Sequence, residues 1–375
     1  MNIGLVCPYD YSYPGGVSSH VSYLAYYFLL MGHQVKIVAP CSKNGVSYFG
    51  EDVIRVGKPF PMPSNKSIAR IPISPWLPVQ VKRVLSQESF DILHIHEPFC
   101  PMLSFSVLME SHFVNVGTFH AYYSKPRAYW LCQPIFRRLL AKLQGKIAIS
   151  QAARECVSRY LPGDYQVIPI GIDTDFFSPQ VPPVEEFADG KVNILFVGRL
   201  ERRKGLDCLL AAYGKVKKEF PDLRLIIVGT GAKLPKYKTM VEEDKLTNVV
   251  FAGFVPRKDL PRYYSSADIC CFPATNSESF GTVLLEAMAS GKPVIASNVG
   301  GYNEVLSQAE EGLIIPSKDE DALARALLLL AQNKPLRQQM GAKGRNKAEK
   351  YSWKNVAQRV MDYYVTLLNK RDKVR

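Results

Sequence analysis

The sequence predicts an α/β protein built from two doubly wound, parallel sheets, and three observations predict it. Short apolar runs alternate with helical patterns through both halves of the chain. Turns carrying glycines or charged residues follow the ends of those runs rather than interrupting them. A proline- and acid-bearing stretch after Pro179 separates the halves. Such alternation gives sheets covered on both faces, and ligands of these sheets bind beyond the carboxyl ends of the strands. At 375 residues the chain suits two domains of ordinary size.

In order, strands are expected at Asn2–Cys7, Val35–Ala39, Val53–Val56, Asp91–Ile95, Asn115–Phe119, Lys146–Ile149 and Gln166–Pro169, with helices such as Val21–Leu30 and Trp130–Leu143 between them. After the first strand comes Tyr13-Pro14-Gly15-Gly16-Val17, a turn into a helix. Paired glycines let backbone N–H groups approach a phosphate, although the turn by itself reads first as a plain loop. His94 and His96 alternate on one strand face, too few for a metal site. His120 ends the strand Val116-Gly117-Thr118-Phe119. The stretch from Gly57 to Arg70 carries three prolines and is expected to be an irregular functional loop. Leu77, Val81, Val84 and Leu85, beside Lys82 and Arg83, then make a short amphipathic helix.

The second sheet is expected from Val192–Val197 onward, through Leu223–Val228, Val249–Phe251 and Ile269–Pro273. Arg199 lies just past the first of these strands, with Lys204 five residues on. That spacing suits neutralisation of a pyrophosphate, and Arg202 and Arg203 read as surface basic residues. Phe280, Val283, Leu284, Ala287 and Met288 form one apolar helix stripe, ended by Gly291 and Pro293. Glu286 falls on the flank of that helix, and Glu278 precedes it, where free N–H groups can receive an anion. Trp353, Val356, Ala357, Val360, Met361, Tyr364, Leu367 and Leu368 give the tail a strict helix stripe.

Composition narrows the partners. The net charge of +13 is concentrated in residues 1–170 and 333–375, while 171–332 is slightly acidic, which suggests one positive face meeting an anionic surface. No nucleic-acid-binding signature accompanies it. The eight cysteines are scattered and read as reduced core residues. No signal peptide or membrane span is expected, so the protein should be cytoplasmic, attached peripherally to the membrane.

Glu278 and Glu286, seven residues apart within Glu-Ser-Phe-Gly…Glu-Ala-Met-Ala-Ser-Gly-Lys-Pro-Val, resemble the E-x7-E motif of retaining glycosyltransferases of family 4. The resemblance spans nearly the whole chain and implies a GT-B architecture, two Rossmann-like domains facing across a cleft. Residues 1–170 would bind the acceptor, 171–190 would link, 191–352 would bind the nucleotide sugar, and the helix 353–375 would cross back to the first domain. It implies that Glu278, with Ser279, Phe280, Gly281 and Thr282, holds the donor sugar and that Glu286 grips the ribose. Arg199, Lys204, Gly15 and Gly16 would bind the pyrophosphate, and His120 would approach the sugar. The 57–70 stretch resembles the acceptor loop of the phosphatidylinositol mannosyltransferases in that family. Asn65 and Arg70 would then hold an inositol phosphate head group, with Ser64 standing where that group has Tyr. The implied reaction is transfer of a hexose, mannose from GDP-mannose, to a phosphoinositide-like lipid. On this reading no Asp-x-Asp arrangement is evident, so no metal or other cofactor is expected. A UDP-sugar transferase acting on another lipid or soluble acceptor, a UDP-sugar epimerase of the same architecture, and a non-catalytic basic binding module remain alternatives.

Overall fold

The computed structural model describes residues 1–13, 15–64, 67–120, 132–276 and 278–374. The chain forms two compact units, Met1–Gly171 with Trp353–Arg375, and Ile172–Ser352. In the first, strands β1 (Asn2–Val6), β2 (Gln34–Ala39), β3 (Asp52–Arg55), β6 (Ile92–His96), β7 (Val114–Phe119), β8 (Gly145–Ala148) and β9 (Gln166–Val167) make one sheet in the order β3-β2-β1-β6-β7-β8-β9. Every pairing in it is parallel. β6 and β7 are buried along their whole length, and their apolar residues are interrupted only by His94, His96, Asn115 and Thr118. The order reverses between β1 and β6, and at such a switch point the connections leave toward opposite faces and open a crevice.

The expectation of an irregular 57–70 segment is corrected: β4 (Pro59–Ser64) and β5 (Ser67–Pro72) form an antiparallel ribbon. Prolines normally exclude a strand because they cannot donate to the ladder. Here Pro59, Pro61 and Pro63 alternate along one strand, pairing with Pro72, Arg70 and Ile68. Alternate residues of an antiparallel pair turn their amides away from the partner, so all three can sit where no donor is required.

Helix α1 (Gly16–Leu30) follows β1, and α2 (Leu77–Gln87) buries Leu77, Val81 and Leu85 while Lys82 and Arg83 stay exposed. Helices α3 (Leu103–Glu110), α4 (Gln133–Leu140) and α5 (Gln151–Ser158) complete the first part of this unit. The terminal helix, here α13 (Trp353–Val374), belongs to the same unit. Its Trp353, Val356, Val360, Tyr364 and Leu367 share one core cluster with Val21, Leu24 and Phe28 of α1. Trp353 stacks on Tyr23 with ring centroids 5.0 Å apart.

The second unit holds β10 (Val192–Val197), β11 (Leu223–Val228), β12 (Val249–Gly253), β13 (Ile269–Phe272), β14 (Val294–Ser297) and β15 (Gly312–Ile315), all parallel, in the order β12-β11-β10-β13-β14-β15. Its switch point is β10/β13. Around it run α6 (Leu206–Glu219), α7 (Leu234–Glu243), α8 (Leu260–Ser266), α9 (Thr282–Ala289), α10 (Tyr302–Val305), α11 (Glu320–Gln332) and α12 (Lys334–Lys350). Residues 172–190 pack onto this unit: Phe177 and Phe187 are buried, and Ser266 Oγ accepts the Val184 amide at 2.9 Å. Among the described residues no helix is long and apolar enough to cross a membrane.

One prediction follows from the packing of the terminal helix. Trp353→Ala should destabilise the first unit by about 3–5 kcal/mol, the usual range for emptying a buried aromatic site. Trp76→Ala, at a side chain 70 % exposed, should change little. Urea unfolding of the two variants would compare them, and equal midpoints would mean that α13 contributes no packing energy.

Candidate active site

In the second unit the site starts where β10 ends. Residues Arg202–Lys204 form a single 3-10 turn, and Gly205 closes it at φ +71°. A Cβ at Gly205 would lie 1.8 Å from the carbonyl oxygen of Pro273, so only glycine lets this turn lie against the end of β13. The Thr275 amide donates to the Arg203 carbonyl at 2.8 Å and fastens the two strand ends together. Glu278 is held from the other side, its carbonyl accepting the Gly301 amide at 3.0 Å.

These constraints bring five charged side chains into one cluster. Glu278 Oε1 accepts from Arg203 Nη1 and from Lys204 Nζ, each at 2.7 Å. Glu201 bridges Arg203 and Arg199, both at 3.0 Å. Burial pulls the Lys204 pKa below the usual lysine range, against the opposing pull of Glu278. Three cations against two carboxylates leave a positive excess, and Arg199, half-exposed, can turn toward an incoming phosphate. Arg203 is thus not a bystander. In the sequence it is indistinguishable from Arg202, and only the 3-10 turn sets Arg203 and Lys204 on the same carboxylate.

Past Glu278, the residues Ser279, Phe280 and Gly281 lead into α9 at Thr282, with Phe280 buried and the others half-buried. Helix α9 is more enclosed than its stripe suggests. Val283 is only half-buried, whereas Leu285, Glu286 and Ala289 are buried beside Leu284, Ala287 and Met288. The helix packs on β13 and β14 on one side, while Gly344 of α12 comes close to Met288 on another. Glu286 Oε2 accepts from the Tyr264 hydroxyl at 2.7 Å, and burial raises the pKa of both groups. Tyr264 carries no spacing signal that could have singled it out.

In the first unit, Gly15 and Gly16 stand at the start of α1, beyond β1. Neither needs to be glycine for local reasons: Gly15 is extended at φ −161°, and a Cβ at Gly16 would meet nothing within 4 Å. The first turn of α1 has no acidic residue and no side-chain cap, which leaves its amides able to receive an anion. Arg70 lies beside this turn, its guanidinium carbon 4.1 Å from the centre of the Tyr13 ring. Asn65 lies outside the described residues.

His120 follows β7 and is buried among three other histidines. Its Nε2 is 2.9 Å from His96 Nδ1, and its amide donates to Glu97 Oε1 at 2.9 Å. His94 and His96 share a strand face as their alternation requires, with ring centroids 4.4 Å apart. His94 is engaged at both nitrogens, by Tyr364 Oη at 2.5 Å and Thr118 Oγ1 at 2.6 Å. His20 of α1 stands edge-on to His96 and His120. Burial holds all four imidazoles neutral, with His94 and His120 pushed down to about 3.

The sequence does carry two Asp-x-Asp spacings, Asp173-Thr174-Asp175 and Asp319-Glu320-Asp321. Asp173 Oδ1 accepts the Phe176 amide, Asp319 caps α11, and Asp321 pairs with Lys215. The two spacings lie in a turn and at a helix start, with these structural duties.

Two predictions come from this geometry. Arg203→Ala should weaken GDP or UDP binding in calorimetry clearly more than Arg202→Ala; equal effects would mean that the Glu278 cluster organises nothing. The buried histidines predict acid sensitivity. The unfolded chain protonates them near 6.5 and the folded chain does not. Stability should therefore fall as the pH drops below that value toward 3, by up to about 1.4 kcal/mol per pH unit for each histidine. Urea midpoints of the protein at pH 7.5, 6.5 and 5.5 measure this, and a flat series would mean that the cluster is charged in the folded state.

Known proteins are similar to this chain along its whole length. Residues 14–176 match the family model described as Glycosyltransferase Family 4, and residues 178–347 match Glycosyl transferases group 1. The chain is 37% identical over 376 residues to the phosphatidyl-myo-inositol mannosyltransferase of Mycobacterium leprae, covering 100% of this chain and 99% of that one. It is 35% identical over 384 residues to the protein of the same name from Mycolicibacterium smegmatis, covering 100% and 96%. Among solved structures, sucrose-phosphate synthase from Thermosynechococcus elongatus superposes with a TM-score of 0.80 at 22% identity, over 98% of this chain and 99% of that one. With two Rossmann-like parallel sheets of the GT-B class and relatives matched along its full length, the chain belongs to glycosyltransferase family 4.

Proposed function

We propose that the protein transfers mannose from GDP-mannose, with retention, to a phosphatidylinositol-like lipid at a membrane surface. The observation that carries the transfer reading is the Arg199–Glu201–Arg203–Lys204–Glu278 cluster at the carboxyl ends of β10 and β13. The sugar and acceptor are those named for relatives aligned over the whole chain.

As the bond from the sugar to the pyrophosphate breaks, negative charge grows on the leaving oxygen. Arg199 and Lys204 would stabilise that charge in the second unit, and the α1 amides at Gly15 and Gly16 would do so in the first. A carboxylate repels a pyrophosphate but accepts hydrogen bonds from hydroxyls, which suits Glu278 to the sugar and Glu286 to the ribose diol. His120, neutral and buried, would orient the sugar ring. The reading takes same-face attack of the acceptor hydroxyl, guided by the leaving phosphate. Arg70, fixed on the Tyr13 ring beside the Gly15 turn, would pair with the head-group phosphate. Lys82 and Arg83, exposed on α2, would attract the anionic bilayer, each contributing about 1 kcal/mol.

The test is transfer of labelled sugar from GDP-mannose or UDP-glucose to vesicles containing phosphatidylinositol. Label should enter lipid only from GDP-mannose; transfer from UDP-glucose alone, or to a water-soluble acceptor without lipid, would overturn the reading. Arg199→Ala should lose a charge-assisted bond of about 1.5–3 kcal/mol, roughly ten- to a hundredfold in turnover. Arg70→Ala should depress transfer to lipid while leaving nucleotide-sugar affinity unchanged. If Arg70→Ala transfers to vesicles at the original rate, the head-group role fails.

A further inference from the structure

We propose that His96 is a positioning residue that fixes the tautomer of His120, holding the His120 proton on Nδ1 so that this ring offers an N–H, not a lone pair, to an oxygen of the bound sugar. The statement about the sugar rests on the placement of His120 proposed above; the statement about the tautomer does not.

His96 Nδ1 and His120 Nε2 are 2.9 Å apart, and two neutral imidazoles can share only one proton across that distance. Which ring supplies it is decided at the far side of His96. That ring is completely buried, and its Nε2 has no partner among the described residues. Either assignment leaves one N–H without an acceptor among the described residues. On His96, 0 % exposed, it would be sealed inside the core, whereas on His120, 7 % exposed at the end of β7, it can meet water or a ligand, and a sealed N–H is the costlier orphan. The His96 proton is therefore on Nδ1, and Nδ1 donates to His120 Nε2. An imidazole that accepts at Nε2 and stays neutral carries its proton on Nδ1. His120 Nδ1 has no partner among the described residues, so its N–H is the group a ligand can meet.

The neighbours hold this arrangement in place. The His96 ring is stacked on His94, and His94 cannot turn because Tyr364 and Thr118 occupy both its nitrogens. His20 stands edge-on to His96 and His120 at 5.1 and 4.9 Å. The His120 backbone is tied to Glu97. A ring presenting only an N–H cannot abstract a proton from the acceptor hydroxyl. It can donate a hydrogen bond to a sugar oxygen, the work left for it when the leaving phosphate guides the attacking hydroxyl.

The proposal is tested on the full-length protein by nitrogen NMR of its labelled histidines, without substrate, and by turnover. His120 should show a protonated Nδ1 and an unprotonated Nε2. In His96→Asn, whose side-chain amide nitrogen can replace Nδ1, that pattern should persist and turnover should stay within about threefold. In His96→Phe the pattern should be lost and kcat should fall about tenfold, with GDP and UDP affinity unchanged as evidence that the second unit is intact. A proton on Nε2 of His120 in the unsubstituted protein, or the same His120 signals in His96→Phe, would overturn the proposal. A lost pattern in His96→Phe with undiminished turnover would uphold the tautomer and remove His120 from the sugar instead.

Discussion

Everything that carries chemistry in this protein is placed by one constraint: parallel strands covered on both faces cannot be joined by hairpins. Each connection must leave the carboxyl end of a strand, cross a face of the sheet, in most cases as a helix, and return. Loops with freedom to hold polar groups therefore gather at that edge, and they separate most widely where the strand order reverses. In the first unit the reversal lies between β1 and β6, and the Gly15–Gly16 turn and Glu97 follow those two strands. In the second it lies between β10 and β13, followed by the Arg199–Lys204 turn and the path to Glu278. The two basic side chains on Glu278 are a consequence of topology before they are a consequence of charge.

The same constraint sets the cost of exceptions. β6 carries His94 in its buried interior, and an unpaired imidazole there would lose its hydrogen bonds to water with nothing in return. The hydroxyl that satisfies one of its nitrogens comes from Tyr364, 270 positions further along the chain. The return of the terminal helix α13 to this sheet thus covers α1 with apolar side chains and completes a polar pair inside the sheet. Packing and polar satisfaction point to the same docking, which makes it specific as well as favourable.

Much of this was legible in the sequence. Most strands of both sheets stood out because burial on two faces favours largely apolar runs. The apolar stripe from Trp353 onward was readable because one face of a long helix meets the core. The 57–70 stretch was misread because proline was weighed residue by residue; its period of two, which matches an antiparallel ribbon, was the stronger signal. The burial of Glu286 was not visible either. A wheel separates the two sides of α9, but not the second layer that α12 lays over it.

The residues that sequence reasoning passed over share a physical reason. Arg203, Tyr264 and His96 act on another side chain of the protein, so no ligand chemistry marks them in the chain. Arg203 becomes distinct from Arg202 only when a turn of three residues aims it at Glu278. Tyr264 matters because burial raises the cost of leaving Glu286 without a hydrogen bond. His96 was weighed as a metal ligand, where two histidines are too few; as a hydrogen-bonding partner of His120, one is enough. Residues that touch a ligand can be sought by chemical type and spacing. Residues that hold those side chains in place become visible only when distances replace positions in the chain.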